Sequence, residues 1–193
     1  MTESSTRAVS TTQALNAKLR DHSHRLHVFL NTLQALVNAL DIPREDDQVM
    51  ELLSNSLDAL LDAVNASLGS LLVLDEDDMQ LVYVLVNGPQ SDAQMVWHRI
   101  DAGTGVCGWV LRHREAAIIN ELPADERFDM STDIPEGATA EALMCIPVVG
   151  QDTNLGVITL INKRVDRMFT DDDLTLTWLM GRFAGELLHR MTR

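Results

Sequence analysis

Cysteine and basic residues are both scarce in this sequence, and each shortage excludes a class of protein. Its two cysteines, Cys107 and Cys145, are too few for a disulfide framework and cannot make a metal site by themselves. Each sits inside an apolar segment, which predicts a pair of buried free thiols. Fifteen Lys and Arg face 29 Asp and Glu, for a formal net charge of −14. Such a charge repels phosphate backbones and offers no counterion release, so nucleic-acid binding is not expected. No apolar run approaches the roughly 18 residues of a membrane span. The N-terminal residues also lack the apolar stretch of a signal peptide. A soluble, cytoplasmic chain with no membrane association is the expectation. The histidines of HSHRLH, His22, His24 and His27, are spaced so that they do not share one helix face, and they read as solvated helix residues.

What remains is an ordinary globular composition, 46% hydrophobic over 193 residues, enough for one domain plus an appended element. Residues 1–13 are small and polar and predict a loose tail. From 14 to 41, Leu15, Leu19, His22, Leu26, Phe29, Leu33, Leu36 and Leu40 follow heptad steps, with Leu30 and Val37 widening the stripe. This pattern predicts a helix that self-associates in a bundle and stops at Ile42-Pro43. REDDQVMELLSNSLDALLDAVNA is a second amphipathic helix with acids at its start. SLLVLDEDDMQLVYVLVNG reads as a β-hairpin around Asp75–Asp78, a turn without the ligand pattern of a calcium loop. MVWHRID predicts a strand. AGTGVCGWVLRHRE predicts a tight turn into a short helix carrying Trp109 and Val110 inward, since no Gly-Lys-Ser/Thr follows the glycines to make a phosphate loop. AAIIN, ALMCIPVV and LGVITLIN are strands. Between the first two of these strands lies a polar connection over 121–141, and a loop of that length is normally functional. The last segment opens with a capping Thr170 and three acids and closes in bases, both matched to a helix dipole. The element order predicts an α+β fold: a largely antiparallel sheet, terminal helices on one face, the small helix and long loop on the other.

RIDAGTGVCGWVLRHREAAIINELPADERF, ALMCIPVV, LGVITLINK and FTDDDLTLTWLMGRFAGELL together resemble the GAF domain, a small-molecule sensory module, over residues 46–190. The points of likeness are Gly105-Val106, Gly108-Trp109, the DERF run, Cys145-Ile146-Pro147, Gly156-Val157, Asn162-Lys163 and Phe169 to Asp173. The resemblance implies a GAF-like antiparallel sheet with a ligand pocket under the loop and short helix. It also implies a regulatory, non-enzymatic role and a homodimer through the N- and C-terminal helices. A signalling role would then act through that dimer or on a separate output protein. NKRVDRMFTDDD is similar to the signature of GAF domains that bind cyclic nucleotides, with Asn162, Lys163, Phe169 and Asp173 matching and Leu174 standing in place of a glutamate. In that family Lys163 and Asp173 would form a structural brace between the last strand and the last helix.

The ligand, a cyclic nucleotide or another small molecule, is expected among Trp97, Val106, Trp109, Asn120, Phe128, Asp129, Met130, Thr132, Leu143, Cys145 and Thr159, with Ser131 as a further roof residue. Strand alternation puts Leu143, Cys145 and Pro147 on one face, and Val157, Thr159 and Ile161 likewise. A dimerisation or docking module without a ligand is the alternative. The same fold includes free methionine-sulfoxide reductases, whose first cysteine element Gly105–Gly108 matches. FDMSTD lacks their loop cysteine, however, and Leu143 and Thr159 replace the expected acids. No catalytic residue and no metal site is therefore assigned.

Overall fold

The computed structural model describes residues 2–41, 45–163 and 168–191, with side chains over 13–41, 45–162 and 168–191. Helix α1 spans Thr2–Asp41 and α2 spans Asp46–Val64. The backbone of α1 is already helical at Thr2, where the polar composition predicted a loose tail through residue 13. No Gly or Pro interrupts that stretch, so nothing local stops the helix. Helix α2 carries Asp46 and Asp47 in its first turn. It ends at Asn65, whose left-handed φ of 58° lets its N–H bond back to the Leu61 carbonyl.

Six strands follow: β1 (Ala66–Asp75), β2 (Gln80–Asn87), β3 (Arg99–Asp101), β4 (Ala117–Ile119), β5 (Leu143–Gly150) and β6 (Thr153–Lys163). They form one sheet in the order β3-β2-β1-β6-β5-β4, antiparallel throughout. Helices α3 (Gly105–His113) and α4 (Met130–Asp133) interrupt the strands, and α5 (Asp171–Met191) closes the described chain. Among the described residues these are the five helices of an α+β fold.

The sheet separates two apolar cores. On one face, Leu53, Leu57 and Leu60 of α2 and Met180 and Ala184 of α5 pack on Met144, Ile146, Ile158 and Leu160. Phe29, Leu33, Leu36 and Ala39 bring the second half of α1 into the same core. On the other face, Val106, Cys107 and Val110 of α3 pack on Leu143, Cys145, Val157, Ile161, Leu72 and Tyr83. Alternation holds over Leu143–Ile146 and Val157–Ile161, because neighbouring side chains on a pleated strand point to opposite faces, and it is broken near Leu155, where the β5–β6 register shifts.

Helix α5 lies unusually close to β5. A Cβ on Gly185 would come within 2.2 Å of the Val149 carbonyl oxygen, so glycine is required for this contact. The N-terminus of α5 is a capping box: the Asp173 carboxylate accepts the Thr170 N–H and O–H at 2.8 Å each, and the Thr170 hydroxyl accepts the Asp173 N–H.

The strand expected over MVWHRID is shorter than its sequence suggested. Trp97 takes a left-handed φ of 71°, and a 3-10 turn at Ala93–Met95 precedes it. The Trp97 N–H still bonds the Tyr83 carbonyl at 2.8 Å, and the Tyr83 N–H bonds His98 at 3.0 Å. Regular pairing therefore starts only at Arg99, and the Trp97 ring is 73% exposed.

Candidate functional site

The roof over the pocket-side core is hung from asparagines and one aspartate. Asp133, in α4 and only 1% exposed, accepts the backbone N–H groups of Val106 at 2.9 Å, Cys107 at 3.1 Å and Asp129 at 2.9 Å. One carboxylate thus satisfies the open N–H groups at the start of α3 and ties the roof to it. Its carboxyl is raised above the usual aspartate range by burial, against the opposing pull of those N–H groups. Gly105 makes the approach possible: its φ is +68°, and a Cβ there would meet Thr132 Oγ1 at 2.5 Å and Asp133 Oδ1 at 2.6 Å. At the far end of the roof, Asn162 accepts the Glu141 N–H at 2.6 Å and donates to the Thr139 carbonyl.

Within α3, Trp109 stacks on His113 with ring centroids 4.5 Å apart, and Arg127 lies 4.5 Å over the same indole. Arg127 in turn grips Asp125 at 2.7 Å. The hydrogen bond from Arg127 holds the Asp125 carboxyl below its ordinary range. The DERF run is therefore a fastening of the roof onto α3.

Two adjoining hollows of about 300 and 380 Å³ open between this roof and the β2–β3 edge. Both are lined by Tyr83, His98, Pro135, Glu136 and Gly137. Asp92, Gln94 and Met95 complete the first, and Ile100, Met130, Ser131, Ile134 and Ala138 the second. The Tyr83 and His98 rings lie 6.4 Å apart. The Tyr83 phenol stays protonated: burial raises it first, and then the neighbouring Cys107, Asp133 and Cys145. The carboxylates of Asp92 and Glu136 are lining groups, and among the described residues no Lys or Arg lines either hollow.

Of the residues expected to contact a ligand, Met130 lines these hollows, as does Ser131. Val106, Leu143, Cys145 and Thr159 are buried on the same face of the sheet, in or beside the core below the roof. Phe128 packs half-buried against that core, and Thr132 is buried in α4. Asp129 caps α4, accepting the Ser131 N–H at 2.8 Å. Trp109 also packs half-buried against that core, with its ring stacked on His113 and under Arg127. Asn120 clamps the Phe169 backbone, donating to its carbonyl at 3.1 Å and accepting its N–H at 2.7 Å. Trp97 lies elsewhere, beside Val73, Val82, Val84 and Arg99 in a shallow hollow of about 510 Å³. Val73 and Val84 belong to the helix-bearing face, so the left-handed turn at Trp97 carries the indole away from the roofed side. Phe169 is buried in the helix-side core and Asp173 in the cap of α5. The Lys163 side chain, the other half of the expected brace, lies outside the described residues.

Tyr83, Met95, His98 and the turn Pro135–Gly137 were not singled out in the sequence. Alternation from Leu81 places Tyr83 on the roofed face, and Pro-Glu-Gly marks a turn within the long connection. Nothing local says that the two meet.

A six-stranded antiparallel sheet with terminal helices on one face and a roofed hollow on the other defines an α+β domain of the sensory type. The sequence matches the GAF domain family over residues 47–189, and the chain belongs to that family. Domains of this family are generally regulatory and non-catalytic, and they commonly dimerise and control output domains. The chain is 26% identical over 134 residues to "Probable 3',5'-cyclic phosphodiesterase pde-5" of Caenorhabditis elegans, a match that covers 65% of this chain and 18% of that protein. It therefore spans under a fifth of that relative's length. In structure it resembles the GAF domain of a phosphoenolpyruvate-protein phosphotransferase (ptsP) from Coxiella burnetii, with a TM-score of 0.69 and 17% identity, covering 86% of this chain and 96% of that one. It also resembles free methionine-R-sulfoxide reductase from Neisseria meningitidis, with a TM-score of 0.66 and 14% identity, covering 89% and 93% respectively. At such identities the likeness is one of fold. Among the described residues, no helix is long and apolar enough to cross a membrane.

Proposed function

We propose that this GAF domain is a regulatory sensor whose small-molecule ligand occupies the hollows between Tyr83, His98 and the 130–138 roof. The roofed cavity itself carries this reading. Its two parts fall at or just above the lower end of the size range of small-molecule sites. Its aromatic floor offers stacking surface, and Asp92, His98 and Glu136 offer polar anchors. Cyclic nucleotides are the first ligands to test, given the phosphodiesterase relative and the partial Asn162-to-Asp173 signature. The described lining favours a second class, because an anionic phosphate would face the carboxylates of Asp92 and Glu136, whereas a neutral or protonated nitrogen ligand escapes that cost.

Thermal melting with cGMP, cAMP, amino acids, nitrate and small aromatic and amine compounds tests the proposal. A true ligand at a hundredfold excess over its Kd stabilises by about 2.7 kcal/mol, a rise of roughly 5–10 °C for a domain of this size. His98→Ala and Glu136→Ala should remove most of that rise, and Trp97→Ala should leave it. If no compound shifts the melting point, the docking-module reading takes its place.

The proposed output route is a homodimer through α1 and α5, acting on a separate partner protein. The second half of α1 is buried on its own domain, but Leu15, Leu19 and Leu30 stay 56%, 57% and 54% exposed. Leu15 and Leu19 continue the heptad spacing beyond the domain, Leu30 widens the stripe, and the three suit a second copy. Sedimentation is expected to report a dimer that Leu15→Glu with Leu19→Glu converts to a monomer. A monomeric wild type at tens of micromolar would remove the dimer from the account.

A further inference from the structure

The two thiols lie together beneath the roof, although the sequence separates them by 38 positions. Cys107 Sγ and Cys145 Sγ are 4.0 Å apart, one in the first turn of α3 and the other in the middle of β5. Both are fully buried, and no third thiol exists in the chain to compete. The Asp133 carboxylate accepts the two backbone N–H groups of Val106 and Cys107 at the start of α3. A disulfide needs a sulfur separation of about 2.05 Å, so closure requires roughly 2 Å of approach, which side-chain rotation and a small shift of α3 share.

We propose that Cys107 and Cys145 are a peroxide-oxidisable dithiol that closes to a reversible disulfide and couples the redox state to the roof through Asp133. When the roof opens, entering water takes up the Cys107 proton, and the thiolate attacks one oxygen of hydrogen peroxide. The O–O bond breaks, the departing hydroxide recovers a proton as water, and Cys107 becomes a sulfenic acid. Cys145 sulfur then attacks Cys107 sulfur; the S–S bond forms, the S–O bond breaks, and hydroxide leaves with the Cys145 proton as a second water. The balance is two thiols and one peroxide giving one disulfide and two waters. The hydrogen bond to Cys145, followed by burial, pushes the Cys107 thiol above its ordinary range. Oxidation is therefore slow while the roof is shut and proceeds through its opening. Once closed, the disulfide draws the first turn of α3 toward β5 and moves Asp133 and the roof with it. This inference does not rest on any ligand in the neighbouring hollows.

The test is hydrogen peroxide treatment of the full chain, followed by alkylation in denaturant, intact mass and non-reducing peptide mapping. The expected result is loss of two hydrogens, one peptide linking residues 107 and 145, and full recovery of both thiols with dithiothreitol. Cys145→Ala should give no cross-link and should carry oxygen on Cys107 instead. Wild-type protein in which both cysteines remain alkylatable while methionines oxidise, or in which the sulfurs acquire oxygen without linking, overturns the proposal. The wild-type measurement decides the question even if the variant fails to fold.

Discussion

Asp133→Ala is expected to lower the free energy of unfolding by about 3 kcal/mol, read by urea denaturation, and to strip amide-exchange protection from Val106 and Cys107. The reason is local. Three buried N–H groups, on Val106, Cys107 and Asp129, lose their shared acceptor at once. Hydrogen bonds to a charged group contribute about 1.5–3 kcal/mol each, so a simple sum would exceed the expected loss. The carboxyl is raised above its ordinary value of 3.8, which means that burial costs its ionised form more than these bonds return. That cost offsets part of the sum. It also sets a pH signature. A raised acid holds its proton more tightly in the folded than in the unfolded chain, so the stability it contributes is present below about pH 4 and is lost as pH rises through the raised value. The stability of wild type minus that of Asp133→Asn should therefore fall with rising pH over that window. A flat or rising difference would contradict this assignment.

Phe29→Ala is expected to cost about 3–5 kcal/mol. Phe29 is fully buried in the core that α1 shares with α2 and α5. Heptad spacing alone would have assigned it to a partner helix. If it served only a partner helix, the substitution would weaken association and leave the stability of the isolated domain unchanged. Chemical unfolding at protein concentrations spanning two decades separates the cases. A loss of stability that is constant with concentration assigns Phe29 to its own domain, and a loss that vanishes at low concentration assigns it to the dimer.

The parts of the fold that local periodicity governs were legible in the sequence. Two-residue alternation in ALMCIPVV and LGVITLIN assigned Leu143, Cys145, Val157 and Ile161 to one face and Met144, Ile146, Ile158 and Leu160 to the other, as the two cores divide them. Thr170 and the acids after it marked the start of α5. The site was legible only as a region. Asp133 meets Val106 across 27 positions and Asn120 meets Phe169 across 49, and no local pattern encodes such pairings. Nor does any local pattern in MVWHRID announce the left-handed backbone at Trp97, whose indole lies beside Val73 and Val84. Asn162, part of the Asn-Lys signature, anchors the end of the roof loop, where its side chain accepts the backbone N–H groups of Glu141 and Ala142.

Native mass spectrometry of freshly purified protein, repeated after incubation with each compound of the ligand panel, tests most directly whether this GAF domain is a small-molecule sensor. One small molecule per chain is expected, retained from expression or taken up from the panel, lost in His98→Ala and Glu136→Ala and kept in Trp97→Ala. A bare chain under every condition, or a ligand that survives both pocket variants and disappears with Trp97→Ala, would contradict it.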